Sequence, residues 1–556
     1  MDLLVLESIN DDPVMKSTYM RGLTSVSTVP RSVGTPDANR LGRTLTSQSP
    51  IPGAFDRANT SNSINSLNST ASAPPTMASA TITEASKDSD RIMYPIRLKH
   101  LGREPYILFA PSAANRQEWG NKIIEAKTKH ANSLYAQHAE PFRLRVVADS
   151  AFYYDYTLGG TSGATAGKDI MIKGTPMDRA VKEVEQKFKD TGRPGPVCRA
   201  RVNCATSFTT PYPGKHMVAV GTDYGVYASE IGNPRGFFKA INIPKVTQVA
   251  VLEEFNLFLL LSSGSLIAYH LDVVYSTDRV NGAAAAGSDT ARKAPQKLSG
   301  SRDVGFFAVG RMKERTLVFY KKRDGLSSTF KVLEPVFQKS TEKKRGMFKR
   351  GTTEFFREFD EFYIPTECSG INLFSSSLAV STSKGFEVLT LDKKQSFSVP
   401  DLKAPEVANI AQHIESQSTL GMLRLSDQEF LLCYEKCAVY VNKHGDVSRS
   451  VIMNFVGRAR NAALYGAYLI LFDADFVEIR NAQNGRLKQI IAGREVKCLD
   501  DGGGGTISGG SVNSGIVNGV PGLGAGGRTV KVVMQHPENE KVQIVVELLL
   551  NEGLKE

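Results

Sequence analysis

From Val197 onward, apolar residues fall in short runs, each broken by a tight polar or glycine turn and then resumed. A run of this kind reads as a strand, and two runs joined by such a turn read as a hairpin. Seven hairpins follow one another: HMVAVGTDYGVYASEI, NLFLLLSSGSLIAYHLDVV, FFAVGRMKERTLVFYKK, LAVSTSKGFEVLTL, FLLCYEKCAVYVNKHG, AYLILFDADFVEIRNAQNG and TVKVVMQHPENEKVQIVVEL. Their centres lie roughly 40 to 70 residues apart, the period of propeller blades with loop insertions. Residues 197–552 are therefore expected to form a closed seven-bladed β-propeller, and the fold class to be mainly β.

The pattern before Val197 differs. DLLVLESI at the start, then YPIRLKHLG and PYILFAPS, read as short strands. A helix follows in SAANRQEWGNKIIEAKTKHA, with Ser112 as its cap and Trp119, Ile123, Ile124 and Ala126 as its apolar stripe. Between these ordered pieces, residues 21–90 are rich in Ser, Thr, Asn, Pro and Ala and poor in aromatics. Such a segment buries too little apolar surface to offset its chain entropy and is expected to be a disordered insertion. Residues 139–196 read as a structured connector: a strand in FRLRVVADSAFYYD, then a helix in TPMDRAVKEVEQKFK. Thr175 caps that helix, Pro176 opens its first turn, Asp178 takes the capping-box position, and Met177, Val181, Val184 and Phe188 recur at helical spacing.

Two strands running into a helix that carries the chain's single tryptophan resemble the end of a pleckstrin homology (PH) domain, over residues 1–20 and 91–138. Trp119 sits where that family's helix tryptophan packs on its sheet. The family's first strands and its basic phosphoinositide loop have no counterpart here, so lipid binding does not carry over. CATSF, VAVGTDYGVY, FLLLSSGSLIAYHLD, FREFDEFYIPTEC, FLLCYEKCAVYVNKHG and AYLILFDADFVEIRN resemble, in order, the citron homology (CNH) domain. Together, a partial PH fragment and a CNH propeller resemble the C-terminal half of fungal guanine nucleotide exchange factors for Rho-type GTPases, which act in cell-wall integrity signalling. The resemblance implies a non-catalytic regulatory and protein-interaction region, with the Dbl homology exchange domain expected upstream of Met1. It implies a Rho-type small GTPase or other signalling proteins as partners, and a cytoplasmic location with recruitment to the plasma-membrane periphery. A peripheral adaptor for an anionic membrane surface is the alternative, and a propeller enzyme a remote one.

Composition narrows the chemistry. The formal charge of +11 favours an acidic partner. No basic and aromatic motif of a nucleic-acid reader accompanies it, so nucleic acid is not an expected partner. Cys198, Cys204, Cys368, Cys433, Cys437 and Cys498 are scattered, and neither they nor the eight histidines show the spacing of a metal site. They are expected to be reduced structural thiols. Gly522, Gly524 and Gly527 match G-x-G-x-x-G but lead into a strand rather than opening a helix. The segment around Lys168 resembles a phosphate loop, yet Asp169 stands where Ser or Thr would hold magnesium. No cofactor, metal or catalytic residue is expected, and Asp473 and Asp475 read as turn residues. One surface feature stands apart: Lys343, Lys344, Arg345, Lys349 and Arg350 surround Met347 and Phe348, a candidate partner-docking loop.

Overall fold

The computed structural model describes residues 3–8, 11–16, 91–155, 172–211, 214–275, 294–300, 302–337, 355–403, 405–503 and 528–551. Among these, seven four-stranded antiparallel sheets follow the order of the chain. Sheets 1 to 6 span 202–241, 246–297, 304–364, 368–399, 419–454 and 461–492. Each runs from its first strand at the centre to its fourth at the rim, every strand pairing with the next. The first strands of neighbouring sheets touch in an unbroken sequence, and that of sheet 7, Lys497–Asp501, returns to that of sheet 1, Val202–Thr209. A ring of sheets closed in this way is a β-propeller.

Local chemistry explains the hairpins. In T-x-x-G at 222–225 and again at 382–385, the threonine hydroxyl accepts from the amide two residues on and donates to the glycine carbonyl. Gly225 sits at φ 137°, and a Cβ there would lie 2.3 Å from the Ile241 carbonyl oxygen, so the turn admits only glycine. Six of the seven sequence hairpins are the second and third strands of their sheets. FFAVGRMKERTLVFYKK is instead the first and second strands of sheet 3, whose next turn is Gly325–Leu326.

Sheet 7 departs from the expected boundary. Its first three strands are Lys497–Asp501, Val530–His536 and Asn539–Leu550, and its fourth is β5 (Phe142–Tyr153). The segment read as connector therefore closes the ring, and its register runs from Leu550↔Phe142 to Val542↔Tyr153. The reason is in its pattern: almost every residue of β5 is buried, as in a strand covered on both faces. The covering element is α2 (Pro176–Lys187), capped by Thr175 as expected, whose Met177, Ala180, Val181 and Val184 join Phe142, Leu144 and Val146 in one core cluster.

Amide side chains, those of Gln489 and Gln543 buried and that of Gln248 partly so, cross from sheet to sheet. Gln489 of sheet 6 accepts from the Phe142 amide at 3.0 Å and donates to its carbonyl at 2.9 Å. Gln543 of sheet 7 binds Val202 N–H and Ala200 C=O, both at 3.0 Å, and Gln248 of sheet 2 holds Phe307 of sheet 3 in the same way. Each satisfies two backbone groups that the ring would otherwise bury unpaired.

The chain divides into two units, residues 14–93 and the remainder. In the smaller one, β2 (Val14–Lys16) pairs antiparallel with residues 91–93, the start of β3 (Arg91–His100). In the larger one, β3 pairs with β1 (Leu4–Ser8) and with β4 (Pro105–Ala110). The helix α1 (Ala113–Ala136) begins at Ser112, whose hydroxyl accepts from Asn115 N–H as expected. Leu6, Ile96 and Ala110 form a small core with Ile123 against it. The opposite face of this sheet rests on the propeller: Leu3 and Val5 pack with Leu101, Phe476 and Ile490, and the Lys99 ammonium meets Asp475 at 2.6 Å. The segment 21–90, expected to be disordered, lies outside the described residues. No helix among the described residues is long and apolar enough to cross a membrane.

Candidate functional site

The docking loop Lys343, Lys344, Arg345, Met347, Phe348, Lys349 and Arg350 lies outside the described residues, as do Lys168 and the glycines 522, 524 and 527. Its anchors are described. Val336 N–H donates to Phe355 C=O at 2.9 Å, pinning the two flanks of the segment together. Beside them Phe337, 65% exposed, stacks on Phe255 with centroids 4.4 Å apart.

Trp119 is a correction. It was expected to pack on the sheet, but it is 58% exposed. The packed face of α1 is set by Gly120, Ile123 and Ala131, with the Lys127 ammonium donating to Leu4 C=O. Trp119 falls at the border of that face, and among the described residues β4 pairs with β3 alone, so no further strand extends the sheet. The same gap leaves Tyr106, Ile107, Leu108 and Phe109 of β4 exposed. An edge strand with four consecutive exposed apolar side chains is a surface suited to pairing or packing with another chain. The sequence pattern of PYILFAPS indicates a short strand but not that its apolar side chains stay exposed.

The other chemistry-bearing residues take structural roles. Asp473 accepts from Asp475 N–H at 3.0 Å and from Arg458 N–H at 2.9 Å, the local bonding expected of a turn aspartate. The cysteines are unbridged, and all but Cys498 are buried. Burial pushes the thiol of Cys437 up to about 11 and that of Cys204 to about 12, and that of Cys433 higher still. Thiols so disposed are poor nucleophiles. Among the described residues, no group of three or more His, Cys, Asp and Glu side chains is placed to hold a metal.

Comparison with known proteins follows the same lines. Residues 214–502, from the second strand of sheet 1 to the first of sheet 7, match the CNH domain. The chain is 30% identical over 522 residues to Rho1 guanine nucleotide exchange factor 3 of Schizosaccharomyces pombe, which covers 89% of this chain and 38% of that protein. It is 33% identical over 309 residues to Rho1 guanine nucleotide exchange factor 1 of the same organism, covering 54% of this chain and 22% of that protein. Among solved structures it resembles the AfRom2 CNH domain at 25% identity and a TM-score of 0.47, over 63% of this chain and 94% of that one. The chain thus spans well under half the length of these curated relatives. With more than half of its residues matched in a single stretch, the chain belongs to the CNH domain family.

Proposed function

We propose that this chain is the non-catalytic, protein-interaction region of a guanine nucleotide exchange factor for Rho-type GTPases, and that its propeller regulates exchange by binding a Rho-type GTPase or another part of the factor. The observation that carries the reading is the similarity to Rho1 guanine nucleotide exchange factor 3 along 89% of the chain. It is supported by the exposed apolar edge of β4 and by the net positive charge, which favours an acidic protein surface.

The test has two arms on one protein. Release of a fluorescent nucleotide from a Rho-type GTPase should proceed at its uncatalysed rate in the presence of this chain. The same GTPase, immobilised, should bind the chain in surface plasmon resonance, with an association rate that falls as salt rises. Accelerated release would refute the non-catalytic role. Absence of binding in every nucleotide state, with flotation on anionic liposomes instead, would favour the membrane adaptor.

A further inference from the structure

We infer that the cavity where the innermost strands of sheets 6, 7 and 1 begin is a binding site for an oxyanion of the phosphate class. The inference is independent of the exchange-factor reading and rests on the walls of the cavity. It measures 270 Å³, and its polar lining includes Arg201, Arg460, Asn461, Glu495 and Lys497.

Charge decides the ligand. Three cations line the cavity against the single carboxylate of Glu495, which leaves an excess of two positive charges. Glu495 is committed to Arg201, and only at 3.7 Å. Neither the Arg460 guanidinium nor the Lys497 ammonium makes a hydrogen bond or ion pair among the described residues. The buried cations of this propeller are matched more closely. Arg235 meets Asp149 at 2.9 Å, and Lys531 meets Asp500 at 3.1 Å. A lone carboxylate would neutralise half of the excess at the cavity. A phosphate dianion neutralises all of it, and the planar guanidinium forks match its oxygens in pairs.

The cations are also held in place before any ligand arrives. Lys497 lies on a paired strand opposite Val533. The main chain at Arg460 is fixed by its N–H donating to Phe472 C=O at 2.7 Å, and the residue before it by Ala459 N–H donating to Glu435 C=O at 2.7 Å. The Arg201 guanidinium lies over the Tyr154 ring at 5.2 Å. Cations set at the starts of paired strands around a concave, partly enclosed space focus their field on it. The Lys497 ammonium is pushed below the usual lysine range, chiefly by desolvation, with a smaller contribution from the like charge of Arg201. The charge of an anion in the cavity opposes both shifts by favouring the protonated ammonium.

The experiment is calorimetric titration of the full chain at low salt with pyrophosphate, orthophosphate and acetate, and with a short phosphoserine peptide. The variants are Lys497→Met and Arg460→Met. Neither substitution removes a hydrogen-bond or ion-pair partner among the described residues, so both variants should keep the unliganded melting temperature. Pyrophosphate should bind the native chain, each variant should lose about tenfold or more in affinity, and acetate should give no heat. In a second readout, Lys497 should acylate faster than the surface lysines, and pyrophosphate should protect it. Tighter binding of the phosphopeptide than of pyrophosphate would assign the group to a partner polypeptide, and the reverse order to a free phosphate compound. Equal affinity of the native chain and both variants would mean an adventitious ion only, and no binding of any phosphate would overturn the inference outright.

Discussion

The closing strand offers the sharpest test of the architecture, through Phe142→Ala. If the propeller began at Val197, as its hairpins alone suggest, Phe142 would be a connector residue, and truncating it would move stability by no more than about 0.5 kcal/mol. In the structure it is fully buried, and its ring meets Tyr465 and Tyr468 edge-to-face at 5.9 and 5.5 Å. Truncating a phenylalanine in such a setting costs about 3–5 kcal/mol, because the packed walls relax only partly into the space left behind. The aromatic pairs argue for the upper half of that range. Because whole domains are stable by only about 5–15 kcal/mol, the variant should melt several degrees lower, with an earlier urea midpoint in near-ultraviolet circular dichroism. Leu326→Ala, at a side chain 90% exposed, is the matched control and should not move. A chain beginning at Val197, lacking β5 and α2 altogether, should show no cooperative transition. A loss under about 1 kcal/mol for Phe142→Ala, or a cooperative transition from the shortened chain, would refute the placement of β5 in the ring.

Other expectations are checked with the same instruments. Gln543→Leu should destabilise by about 2–6 kcal/mol in urea unfolding, because the Val202 amide and the Ala200 carbonyl would both be left buried without partners. Arg145→Met should cost about 3–5 kcal/mol, since Glu547, 1% exposed, would keep its charge and lose its counter-ion. His536 is held neutral by burial, its pKa lowered to about 4 against about 6.5 in the unfolded chain. The unfolded state therefore binds more protons between these values. Stability should be full above pH 6.5 and fall by up to about 3 kcal/mol as pH drops to 4, and His536→Gln should flatten that slope. Trp119→Ser should change stability by less than about 0.5 kcal/mol, as befits an exposed side chain, when unfolding is followed by circular dichroism.

The hairpins were legible because each is a local event: two apolar runs and a turn such as Thr222–Gly225 carry their own instructions within a few residues. The same locality made the α2 cap readable from Thr175 and Asp178. The fourth strand of sheet 7 was not legible, since β5 looks like any buried strand and its partner lies at the other end of the chain. Nothing in FRLRVVADSAFYYD names Asn539–Leu550 as its neighbour. Trp119 failed for a related reason: the helical stripe fixes which residues share a face, but not how far the sheet beneath that face extends. The cavity cations were invisible for the same cause. Arg201, Arg460 and Lys497 are far apart in sequence, and only ring closure brings them together.

Joining the first sheet-forming strand of the ring to the last also constrains how the molecule is made. Arg145 and Glu547, paired across the closing seam, are 402 residues apart. At roughly 5–20 residues per second, a ribosome needs tens of seconds to deliver the second after the first. Throughout that interval β5 is synthesised without its partner, and its dense apolar face must wait beneath α2 or be shielded by chaperones. The last strand of the ring in chain order completes it, so a message cut short before that strand yields an open array of sheets with two sticky edges in place of a slightly shortened propeller.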